Sequence, residues 1–132
     1  MLESDSSARP NSDPASAAIL VLLTLTGVML LALFSRTAPH PPLDVPPFAL
    51  GPFLGASLAI GAAAYHLLCR GARIGGVIAV LFALTALVSF GPQKYFVPEF
   101  DRIWPAVIVA QAAVIVILAW SFRAFRKEKE TP

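Results

Sequence analysis

The 132-residue chain is 57% hydrophobic and 14% charged, with mean hydropathy +0.73. Ordinary soluble domains carry about 25% charge, and a chain this short has too much surface to hide so much apolar material in water; a conventional soluble domain is excluded. The formal net charge of +2 says little about partners and gives no expectation of nucleic-acid binding, and the single cysteine, Cys69, rules out an internal disulfide.

Four stretches of 17 to 22 residues contain no Asp, Glu, Lys or Arg: 17–34, 48–69, 74–90 and 104–122. About 20 apolar helical residues cross a bilayer's hydrocarbon core. The pattern predicts an all-α fold, an integral membrane four-helix antiparallel bundle over residues 17–122, with charges confined to the gaps. Residues 1–16 are polar and small, too poor in apolar surface to offset their ordering entropy, and read as a disordered cytoplasmic tail. Glu3, Asp5 and Asp13 against the single Arg9 do not make a signal-peptide n-region, so the first span is expected to stay as an anchor.

Span 17–34 is the strongest, with eleven Leu, Ile, Val and Phe residues. Asp13-Pro14 and Ser16 supply a helix start. Residues 35–47 hold Pro39, Pro41, Pro42, Pro46 and Pro47, which predicts an extended polyproline-like connector. Span 48–69 is the weakest by residue type but ordered by position. Gly51, Gly55, Ala59, Ala62 and His66 recur at helical spacing, a small face expected to pack against neighbours. Leu50, Leu54, Leu58, Tyr65 and Leu68 are expected to face lipid. Pro52 is placed in the first turn.

Residues 70–73 make a very short turn, so the second and third spans are expected to form a tight hairpin. Span 74–90 has small residues at Gly75, Gly76, Ala79, Ala83 and Ala86, and Gly91-Pro92 ends it. The connector 91–103 mixes Lys94, Glu99, Asp101 and Arg102 with Tyr95 and Phe100, a pattern suited to docking a partner or anchoring at the interface. Trp104-Pro105 opens the last span, and residues 123–132 form a basic cytoplasmic tail. Seven basic residues fall on the side of the termini and three on the side of the longer connectors. The positive-inside rule then places both termini in the cytoplasm. The alanine- and proline-rich composition fits a GC-rich bacterial genome, and the membrane is expected to be the bacterial inner membrane.

Few residues invite chemistry. His66 and Cys69 share a helix face, but zinc needs three or four protein ligands, and His40 is expected across the membrane. No metal, cofactor or catalytic set is expected, and the protein is expected not to be an enzyme. Gln111, near the middle of the fourth span, points roughly 130° from the small face of Ala106, Ala110 and Ala113. Its amide needs a partner that lipid does not offer, which suggests either a second packing face or an inward-pointing amide. No span holds a carboxylate, against a proton-driven antiporter. The leading expectation is a non-enzymatic accessory or assembly subunit of a membrane complex, its partners the lipid bilayer and a membrane protein or second copy. The alternative is a small transporter or channel acting as a homo-oligomer, with Ser57, Thr85, His66 or Gln111 as pathway groups.

Overall fold

The computed structural model describes residues 13–39 and 41–130. The tail reading for residues 1–12, the placement of His40 and the last two residues lie outside the described residues. Helix α1 (Pro14–Phe34) starts on Asp13, whose side chain accepts from Ala15 N at 3.4 Å, with Pro14 in the first turn. Helix α2 spans Pro47–Cys69 and α3 Ile74–Phe90; a short 3₁₀ helix covers Pro92–Phe96, and α4 runs Phe100–Glu130. No strand occurs among the described residues. Four helical spans are long and apolar enough to cross a membrane, the third counted through the 3₁₀ turn to Phe96. The 21 residues of α1 rise about 31 Å, matching a hydrocarbon core of about 30 Å. The protein is a multi-pass membrane protein.

Consecutive helices pack side by side and α4 closes the ring against α1. Across the diagonals α1 touches α3, while α2 and α4 do not meet. The short diagonal exists because α2 offers a glycine at the centre. A methyl at Gly61 would come within 2.6 Å of the Phe82 ring and 2.7 Å of Leu23 Cδ2, so these two side chains occupy the space a larger residue would take. Phe82, Ile19, Leu22, Leu54 and Ile117 are fully buried around that point. The other faces look outward with Val28, Leu31, Val88 and Ile115, each at least 60% exposed. Apolar exposure on this scale belongs to lipid.

Two helix ends turn the chain by the same device. After α2, Gly71 takes φ +65°, Ala72 N bonds Leu67 O and Gly71 N bonds Leu68 O, each at 2.9 Å, a Schellman motif. This is the tight hairpin into α3. After α1 the left-handed position is held by Arg36, at φ 55°, with Thr37 N bonded to Ala32 O at 2.9 Å. Arg36 then holds the connector: its guanidinium donates to Leu43 O at 2.6 Å and Val45 O at 3.4 Å. Val45 N also bonds Pro42 O at 3.0 Å. The connector is therefore not the extended polyproline segment the prolines suggest, because one arginine gathers its carbonyls into a folded turn.

Helix boundaries differ from the sequence reading at three places. Residues 14–16 belong to α1, not to a tail. Helix α4 begins at Phe100, with Asp101 in its first turn, and the basic segment through Glu130 continues it. Lys, Arg, Glu and Ala are good helix formers, the last-turn cations Lys127 and Lys129 suit the negative end of the helix dipole, and Glu128 reaches back to Arg73 at 2.9 Å. Pro52 is in the second turn of α2, not the first, because the helix starts at Pro47. Pro105 occupies the matching sixth place in α4. Each leaves a carbonyl one turn earlier (Phe48, Asp101) without its helical donor, at the connector end where Phe48 is 82% exposed.

Candidate functional site

The end of α3 is the most constrained polar point of the bundle. Seventeen residues rise about 26 Å, short of the hydrocarbon thickness, and the 3₁₀ turn that follows adds roughly 10 Å. The helix therefore breaks near the membrane boundary, where backbone carbonyls cannot be left to lipid. Pro92 has no N–H to offer Val88 O. Gln93 supplies the missing donors: its Nε2 lies 2.8 Å from Val88 O and 3.1 Å from Leu87 O. Gln111 Nε2, from α4, donates to Phe90 O at 3.1 Å, and the Tyr95 hydroxyl donates to Gln111 Oε1 at 2.8 Å. Two glutamines and a tyrosine thus close the break. The amide of Gln111 is satisfied within one chain, so the second packing face that its isolation suggested is not required by hydrogen bonding.

Helix α2 presents a different surface from the one its sequence suggests. The face buried in the bundle is Gly51, Leu54, Ser57, Gly61 and Ala64. Of the small-residue face read from the sequence, Gly51 alone is buried, under the Phe34 ring, at 3.2 Å from where a Cβ would sit. Gly55 is half-buried, and nothing would lie within 4 Å of a Cβ there; Ala59, Ala62 and His66 are exposed. The inward placement of His66 is corrected, as is the lipid-facing placement of Leu54, which is fully buried. Both stripes contain small residues, but only the Gly61 stripe meets a large ring, Phe82, that needs the space. No periodicity in α2 alone carries that information. Gly61 and Gln93 are the residues the sequence reading missed; a glutamine just after Gly-Pro was the available signal for the latter.

The connector residues are brought to one end but not into one cluster of side-chain bonds. Lys94 is half-buried, Tyr95 is exposed and its ring lies 5.0 Å from that of Phe100, Glu99 is half-buried, and Asp101 and Arg102 are exposed. At the opposite end, Cys69 is exposed. No group of three or more His, Cys, Asp or Glu residues able to hold a metal occurs among the described residues.

No known protein family, curated protein or solved structure matches this chain. The functional reading therefore rests on the chain's own surfaces. Chemically these offer helix packing along α2, polar contact at the connector end and an aromatic–basic extension of α4, with Trp120, Phe122 and Phe125 beside Arg123, Arg126 and Lys127.

Proposed function

We propose that this protein is a non-enzymatic accessory or assembly subunit of a bacterial inner-membrane complex, its two termini cytoplasmic, that docks a partner membrane helix on the outward face of α2. The observation that carries this reading is the contrast between outward faces. Where α1, α3 and α4 turn Leu31, Val88 and Ile115 to lipid, α2 turns out Gly55, Ala59 and Ala62, with His66 near its end. Lipid tails already solvate large side chains; small ones gain most from a second helix, because they let its backbone come close. Exposed Asp101 and Arg102, with Glu99, Lys94 and Tyr95 around them, add polar contacts at the connector end. The seven-to-three distribution of basic residues supports the orientation.

The polar groups of a transport pathway do not converge. Thr85 bonds back to Phe82 O at 2.8 Å, Gln111 is tied to Tyr95 and Phe90, and His66 faces away from the bundle whose centre Phe82 fills. This favours packing over conduction.

The test is extraction from native membranes in mild detergent. Wild type is expected to co-purify with a partner membrane protein, and Gly55→Leu and Ala62→Leu to lose it, while Leu31→Ala on α1 keeps it. Recovery of wild type solely as a free monomer, or equal partner recovery by all variants, overturns the proposal.

A further inference from the structure

At the connector end, α1 and α4 enclose a crevice of about 180 Å³ over the last turn of α3. Its walls are apolar, with Val28 and Met29 from α1, Phe90 from α3 and Ala106 from α4. Val28 is 60% exposed, so one wall reaches the lipid-facing surface. Two cations line the same crevice, Lys94 from the 3₁₀ helix and Arg102 from the first turn of α4. Neither loop carboxylate lines it: Asp101 leaves α4 about 100° away from Arg102, and Glu99 acts on Lys94 from outside the crevice. Trp104, half exposed and two residues inward of Arg102 along α4, marks the interface level. The cations thus stand at headgroup height above an apolar slot. The volume falls below the roughly 300–1,000 Å³ of a cofactor or small-molecule pocket and suits a segment of one hydrocarbon chain.

We propose that this crevice binds an anionic phospholipid, one acyl chain lying between α1 and α4 and the phosphate held by Arg102 and Lys94. Basic pockets between membrane helices recognise anionic headgroups in this way. The slot lies between α1 and α4, away from the outward face of α2. Lys94 and Arg102 also border the connector end invoked for the partner, but the partner is tested at Gly55 and Ala62, so the two proposals fail separately.

The test is native mass spectrometry of the full chain in mild detergent, titrated with phosphatidylglycerol and phosphatidylcholine of identical chains. Wild type is expected to retain phosphatidylglycerol preferentially. Arg102→Gln is expected to cut that preference about fivefold, the value of one cation beside an anionic lipid. Ala106→Leu, which fills the slot, is expected to weaken both lipids together, and Lys129→Gln at the far end of α4 to change neither. Arg102 is exposed, so its variant carries the test even if Ala106→Leu fails to fold, as judged by far-ultraviolet circular dichroism. Equal retention of the two lipids by wild type, an unchanged preference in Arg102→Gln, or displacement of the lipid by inorganic phosphate at matching concentration would each overturn the proposal.

Discussion

The Tyr95 hydroxyl donates to the Gln111 side-chain oxygen across 2.8 Å, joining the turn after α3 to the middle of α4. Because the same amide donates to Phe90 O, one side chain both caps a broken helix and fixes its neighbour's register. Gln111→Leu is expected to destabilise the bundle by about 0.6–2 kcal/mol, the range of interhelical amide bonds in membranes, and Tyr95→Phe by less. In an SDS unfolding titration the Tyr95→Phe effect should vanish in the Gln111→Leu background. Additive losses would mean that the two residues act independently.

Glycines 55 and 61 provide a second comparison. Gly61→Ala drives a methyl toward Phe82 and Leu23, and overpacking of this kind costs about 1–3 kcal/mol. Gly55→Ala meets nothing within 4 Å and should leave the stability of the isolated chain unchanged. Thermal unfolding of the two purified variants in the same detergent checks the order. The reverse order would place the packed face of α2 on the other stripe.

Ser57 and Ser121 have buried hydroxyls without a hydrogen-bond partner among the described residues. Replacing either by alanine removes an unsatisfied polar group while keeping the packing, so stability is expected to hold or rise, by up to about 1 kcal/mol. A loss of stability in either variant would show that the hydroxyl has a partner in the membrane.

Arg36 holds the first connector by side-chain bonds to Leu43 O and Val45 O. Arg36→Ala is expected to speed limited proteolysis between residues 37 and 46 without changing helix content. A cleavage rate equal to wild type would show that the prolines, not the arginine, hold the turn.

The number and approximate places of the helices were legible because lipid selects uncharged runs of fixed length, a constraint that acts on sequence alone. The cap at Asp13-Pro14 was legible because capping is local chemistry, although the uncharged run alone put the start of the span at residue 17. The faces were harder. Small residues line both sides of α2, and which side is buried depends on where Phe82 of α3 points, a fact of tertiary packing. The fold of the proline connector hid in a single arginine seven and nine residues from its acceptors. Gln111 was legible as a residue needing partners, whereas the identity of those partners depended on where α3 breaks. The connector charges, half-buried Glu99 and exposed Asp101 and Arg102, carry no local signature that separates docking from anchoring.

The most direct test of the account is labelling of single cysteines with a membrane-impermeant maleimide, in a Cys69→Ser background, in intact cells and again after permeabilisation. Asp44→Cys and Pro98→Cys are expected to react in intact cells, and Lys127→Cys only once the membrane is opened. Labelling of Lys127→Cys in intact cells together with Asp44→Cys, or opposite exposure of the two connectors, would contradict four crossings with both longer connectors on the outer side.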